Sequence, residues 1–251
     1  VEHKIKPRVV AIIQARMGST RLPGKILKEV SGKTLLYYLI ERLRQSERID
    51  QVVIATTTHT KDDVLVKLCN EWDIPVFRGS EEDVLERYYQ AAQENNAQCV
   101  VRVTSDCPLI DPDIIDQTIA LYLENLSEYD YTSNSRIQTF PRGMDVEVFS
   151  FDALSQAYNH AKKPYQREHV TPYLYDEPGK FRLGNLKNSA GNTSDIRLTV
   201  DTPEDFALVK KILEEIYPKN PRFRLKDIIE LLKKHPDWLE INKHIVQKDG
   251  K

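Results

Sequence analysis

The chain alternates short apolar runs with stretches of helical periodicity. Residues 9–13 are continuously apolar and predict a buried strand. Residues 34–45 carry Leu35, Leu36, Leu39, Ile40 and Leu43 at helical spacing. A second strand is expected at 51–55, a helix at 62–72 with Val64, Leu65 and Leu68, and a short strand at 75–77. Ser80 can cap the helix that runs on to Asn95, with Asp83 as its capping-box partner. Residues 98–103 form a further apolar run, and Asp111-Pro112 opens another helix with proline at its first position. This alternation predicts an open α/β sandwich with a largely parallel sheet.

The pattern changes after about residue 128. Residues 129–133, 145–151 and 181–186 look like strands, but helices no longer separate them regularly. A mixed region that shapes a substrate site is expected there, inserted into the alternating fold. The parallel pattern resumes with a strand at 196–200 and a helix from Pro203, and the tail from Leu225 is charged and helical. One domain over residues 1–251 is expected, with an acceptor-binding and dimerisation subregion embedded at about 135–190.

Composition narrows the classes. With 29% charged and 40% hydrophobic residues, the chain is expected to be globular and soluble. A net charge of -2 offers no broad basic face, which argues against nucleic acid as a partner. No stretch approaches the roughly 20 apolar residues of a membrane span. The opening VEHKIKP is charged rather than apolar, so no signal segment is expected there. Cys69, Cys99 and Cys107 match neither a zinc pattern nor a disulfide framework. Three ordinary buried thiols and a reducing, cytoplasmic setting are the expectation.

Chemistry is concentrated after the first strand. "QARMGSTRLPGK" holds Arg16, Arg21 and Lys25 within ten positions. Close cations repel, so they either splay into water as a solvated loop or hold something strongly negative between them. The Walker A spacing fails here, because five residues separate Gly18 from Gly24 and Ile26 follows Lys25. The dinucleotide fingerprint is absent too. Yet the loop follows the first strand, where open α/β sheets bind ligands. Gly18 lets backbone approach a ligand closely. Arg16 and Arg21 offer planar forks to phosphate oxygens and Lys25 a point charge, so a triphosphate would occupy all three.

Two carboxylates follow strands of the same expected sheet. Asp106 lies just past the run 98–103, and Asp201 just past 196–200. Parallel strands would bring both to one edge, where they could hold a single magnesium ion. Singly, Asp201 could favour a helix dipole and Asp106 could close a turn. Asp111 and Asp113 form an Asp-x-Asp string of the kind some transferases use for metal, although a helix start explains them as well.

These segments resemble the cytidylyltransferases that activate sugar acids. "QARMGSTRLPGK" is similar to the family's opening motif, "SDCPLID" to its metal-binding segment and "VDTPEDF" to its C-terminal metal segment. "GSEEDVLERY" and "QREHVTPY" resemble the subgroup of the spore-coat polysaccharide biosynthesis type. The resemblance runs over residues 9–209. It implies a Rossmann-like nucleotidyltransferase sandwich, attack of a sugar-acid hydroxyl on the α-phosphorus of CTP, Mg²⁺ as cofactor and a homodimer. It implies nucleotide binding by Gln14, Ala15, Arg16, Gly18, Ser19, Arg21 and Lys25, and catalytic roles for Arg16, Lys25 and Asp106. Asp106 and Asp201 would hold the metal. Arg78 and Ser80 are candidates for the base. For an acidic acceptor the candidates are Arg142, Asp145 and Glu147 in "PRGMDVEVF", and Arg167, Glu168 and His169 in "QREHV". Glu147, between two valines on an expected strand, could instead face solvent. Activation of a phosphorylated small acid, a metal-dependent glycosyltransferase using Asp111 and Asp113, and a binding protein without activity are the competing expectations.

Overall fold

A computed structural model describes residues 6–247; most of VEHKIKP lies outside the described residues. The strands are β1 (Val9–Gln14), β2 (Glu29–Val30), β3 (Lys33–Thr34), β4 (Gln51–Thr57), β5 (Val76–Gly79), β6 (Cys99–Thr104), β7 (Tyr131–Ser133), β8 (Glu147–Ser150) and β9 (Leu183–Asn185). The helices are α1 (Leu35–Leu43), α2 (Asp63–Glu71), α3 (Val84–Glu94), α4 (Pro112–Glu124), α5 (Phe151–His160), α6 (Pro164–His169), α7 (Pro172–Asp176), α8 (Pro203–Ile216) and α9 (Leu225–Lys234).

Seven strands form one sheet in the order β5-β4-β1-β6-β8-β7-β9. β5, β4, β1 and β6 are mutually parallel, β8 runs against both β6 and β7, and β9 is parallel to β7. The sheet is therefore mostly parallel, with one reversed strand in the mixed region. Successive residues of β1 face opposite sides. Val9, Ala11 and Ile13 enter the core under α1, α4, α8 and α9, while Val10 and Ile12 enter the core under α3, α5 and α7. Both faces are covered, which is why β1 reads as an unbroken apolar run. The three cysteines are free and buried, and burial drives the Cys107 thiol well above its ordinary pKa.

Two local expectations need correction. The cap of α3 is Asp83, whose carboxylate accepts from the Glu86 amide; Ser80 instead accepts from the Asp83 amide and forms the turn before it. Residues 196–200 are not a strand of the main sheet. They are extended, but they share only an isolated bridge, Arg142 with Arg197. Their backbone bonds go to loops: Leu198 N–H to Arg142 O at 2.7 Å and Val200 N–H to Asp106 O at 2.8 Å. Gly143 makes this docking possible. Its φ is +97°, and a Cβ there would lie 2.7 Å from the Leu198 carbonyl carbon and the Thr199 nitrogen.

Candidate active site

Chain order reverses between β1 and β6, since β4 and β5 extend the sheet on one side of β1 and β6 lies on the other. Ligands of open α/β sheets bind at such a switch point, beyond the carboxyl ends of the strands. Gln14 pairs with Thr104 there, at the ends of the two strands. Above them opens a cleft of about 720 Å³. It is lined by the loop after β1, by 104–106, by Val84 and Arg87 of α3, by α6, and by Asp201 and Gln247.

The loop is held from below. The Met17 amide donates to buried Asp62 at 2.7 Å, and Asp62 accepts in turn from the Thr57 hydroxyl. Gly24 sits at φ +63°, ψ +20°, a left-handed conformation that glycine adopts without penalty. The single helical turn from Lys25 to Leu27 starts there and aims Lys25 inward. Its ammonium bonds Asp106 at 2.9 Å and Asp201 at 2.8 Å. Arg21 reaches the same Asp201 oxygen region at 3.0 Å, while Arg16, more exposed, meets Glu81 at 3.4 Å. Burial works against the Lys25 charge, but the two carboxylates outweigh it and raise the pKa. Burial likewise opposes the Asp106 charge, and Lys25 outweighs it and lowers the pKa.

Asp201 is a divided carboxylate. Oδ1 faces the cleft cations, and Oδ2 accepts from Arg197 at 3.0 Å. Arg197 is itself gripped by Asp205 at 2.9 Å, and Asp205 also caps α8 with Thr202 and accepts from the Asp201 amide. Sequence spacing brought Asp106 and Asp201 together through two parallel strand ends. The structure brings them together through the docked segment 197–200, whose Val200 amide and Thr199 hydroxyl both bond the Asp106 carbonyl.

Of the residues expected at the nucleotide, Gln14, Ala15, Arg16, Gly18, Ser19, Arg21 and Lys25 line the cleft. Arg78 and Ser80 do not. Arg78 is spent on the Thr57 and His59 carbonyls and on Asp63 at 2.8 Å. Of the residues expected at the acceptor, Glu168 and His169 line the cleft, joined by Tyr165. Arg167 turns away, bonding Asp83 at 2.8 Å and the Tyr158 carbonyl at 2.7 Å. Arg142 offers backbone to 196–198, and Asp145 accepts from the Gly143 amide and Gln138. Glu147 is neither solvent-facing nor in the cleft lining. It is buried, ion-paired with Arg102, and accepts from Tyr131 and Thr171 at 2.6 Å each. Asp111 caps α4 and binds the Leu225 amide, and Asp113 pairs with Arg224 at 2.8 Å, away from the cleft. That removes the ligands a glycosyltransferase would need.

Sequence reasoning missed Arg87, whose guanidinium bonds the Ser80 carbonyl inside "GSEEDVLERY". It also missed Asp62, which accepts from the Met17 amide, Arg102, which pairs with Glu147, and Arg197, which pairs with Asp201 and Asp205. An arginine in an apolar run, as at Arg102, was the available signal.

The sequence profile of the family described as Cytidylyltransferase matches residues 10–245. The chain belongs to the cytidylyltransferase family. The spore coat polysaccharide biosynthesis protein SpsF of Bacillus subtilis is 34% identical over 235 residues, 91% of this chain and 95% of that protein. A 3-deoxy-manno-octulosonate cytidylyltransferase of Lawsonia intracellularis is 31% identical over 182 residues, 68% of this chain and 69% of that protein. A solved cytidylyltransferase from Leptospira borgpetersenii superimposes with a TM-score of 0.89 at 36% identity, over 97% of this chain and 100% of that one. The cytidylyltransferase is thus a nucleotidyltransferase enzyme with the expected Rossmann-like sandwich. No helix among its described residues is long and apolar enough to cross a membrane.

Proposed function

We propose that the enzyme transfers CMP from CTP to a hydroxyl of a sugar acid. The acceptor hydroxyl releases its proton to solvent as its oxygen bonds to the α-phosphorus, the bond from that phosphorus to the bridging oxygen breaks, and pyrophosphate leaves. One observation carries this reading: three loop cations and two carboxylates converge on one cleft, with Lys25 bonded to both carboxylates. Phosphoryl-type transfer needs charge neutralisation and positioning more than covalent chemistry. Arg16, Arg21 and Lys25 hold the triphosphate and the departing pyrophosphate. His169, Tyr165 and Glu168 face the acceptor.

The residues present suit magnesium. Asp106 and Asp201 already gather on one cationic atom, Lys25 Nζ, so their oxygens can reach one ion. No cluster of three or more ligating side chains occurs among the described residues. Two hard oxygens are enough for an ion that keeps waters and binds substrate phosphates. When bound, magnesium would supply positive charge that offsets the negative charge of the phosphates.

The names of the two relatives, one in spore-coat polysaccharide synthesis and one acting on 3-deoxy-manno-octulosonate, support a sugar acid destined for surface polysaccharide. A homodimer working in the cytoplasm belongs to the same reading. The test is pyrophosphate release from each of CTP, ATP, GTP and UTP with Mg²⁺, across sugar acids and phosphorylated small acids. CTP with a sugar acid is the expected pair. Turnover with a phosphorylated acid alone, or with another nucleotide, overturns the finer assignment.

A further inference from the structure

Val170 follows His169 at the end of α6 and has φ +71°, ψ -58°. Its flanking groups close a three-residue turn, the Thr171 amide donating to the His169 carbonyl at 2.9 Å. This is the positive-φ γ-turn, a rare and strained form. A β-branched residue is the least suited to it. Val170 is nevertheless fully buried, packed in the core that also contains Tyr131, Tyr173 and Leu174. Strain of this kind persists only where surrounding structure over-determines it.

The surroundings supply a clamp on the next residue. The buried Thr171 hydroxyl donates to Glu147 Oε1 at 2.6 Å. Glu147 cannot yield, because Tyr131 donates to the same oxygen at 2.6 Å and Arg102 pairs with the other. Arg102 reaches on to Gln14 Oε1 at 3.3 Å, and Gln14 lines the cleft from the nucleotide side. On the other side of the turn, Glu168 and His169 line the same cleft. The strained peptide thus stands between a rigid buried carboxylate and the two side chains that face the acceptor.

We propose that Val170 and Thr171 are positioning residues: the γ-turn, clamped by Thr171 to Glu147, aims His169 and Glu168 into the acceptor end of the cleft. Without the clamp the turn relaxes toward negative φ and carries His169 away. This rests on the reading of His169 as an acceptor-facing residue.

The clamp measurements use the full chain and need no acceptor. Thr171→Val keeps the shape and removes the hydroxyl, and Thr171→Ser keeps the hydroxyl. Hydrogen exchange at the residue-171 amide follows the turn. The ring signals of His169 in protein labelled at histidine, assigned with His169→Gln, follow its placement. Thr171→Val should speed amide exchange at least tenfold and move the His169 signals, while Thr171→Ser changes neither. Glycine tolerates this φ, so in a Val170→Gly background the same Thr171→Val change should alter exchange less than threefold. Unchanged exchange in Thr171→Val overturns the clamp. Faster exchange with His169 signals unmoved overturns the positioning role. His169→Gln with undiminished turnover of every acceptor removes the acceptor reading alone, and leaves the clamp measurements standing.

Discussion

The two ends of the cleft are built differently. At the proposed nucleotide end, the cationic side chains Arg16, Arg21 and Lys25 come from one continuous stretch, whose backbone is shaped by its own Gly24 and by a bond from the Met17 amide to Asp62. At the acceptor end, the arginines and carboxylates that sequence offered are mostly committed to the scaffold. Arg167 ties α6 to the cap of α3, and Glu147 locks β8 to β7 and Thr171. A phosphate-binding loop can be local because its ligand is a compact run of charge. An acceptor pocket is assembled from separate elements, and the groups that fix those elements must be bonded to protein rather than to substrate.

The sharpest way to break this comparison is at the charge cluster. Lys25→Met should lower pyrophosphate release by ~10²–10³-fold, the scale of losing one preorganised electrostatic partner. It should also lower Tm, because Asp106 and Asp201 lose the ammonium between them. Unchanged turnover would detach Lys25 from the triphosphate. Asp106→Asn and Asp201→Asn should each cost roughly 10²-fold in kcat, and the double variant little more, if the two share one ion. Full additivity would mean that they act separately.

Gly143→Ala comes next, since it attacks the docking that delivers Asp201. A methyl group there meets the backbone of Leu198 and Thr199 at 2.7 Å in a positive-φ conformation. The expected cost is about 1–3 kcal/mol, seen as a lower Tm. A drop in turnover of roughly tenfold should accompany it, given how steeply rate depends on ~1 Å misplacements. A variant with wild-type kcat would mean that Asp201 does not depend on this contact.

The smallest effects separate the two ends most cleanly. Arg16→Ala should raise the CTP KM about tenfold with Tm nearly unchanged, because an exposed loop side chain contributes under ~0.5 kcal/mol to stability. Arg167→Ala should do the reverse: Tm falls by several degrees, as about 1–3 kcal/mol of charged hydrogen bonding is lost, and the CTP KM stays within about twofold. A selective rise in acceptor KM in Arg167→Ala, with Tm held, would return that arginine to the substrate.

Legibility followed the distance over which each structural cause acts. The helices were readable because periodicity and first-turn residues are local, as with Leu35, Leu39 and Leu43 in α1 and Asp111-Pro112 at the start of α4. Ser80 misled because either Ser80 or Asp83 can cap, and only the turn geometry chooses between them. The stretch 196–200 misled because Ile196, Leu198 and Val200 alternate with polar residues as in a strand, and that alternation looks the same whether the segment pairs in the sheet or docks on loops.

By itself, the sequence determined the alternating fold, the cation-rich loop after β1 and the identity of the two carboxylates. Each follows from residues near one another along the chain, or from buried strands that must be apolar. Only the tertiary structure decided what each charged side chain faces. Arg21 and Arg167 are the same residue type in similarly polar segments, yet one meets Asp201 in the cleft and the other meets Asp83 at the cap of α3. A buried charge needs a partner, and that partner can lie anywhere in the chain. Asp106 and Asp201 are 95 positions apart and meet on one lysine because Gly143 leaves room for a distant segment to dock.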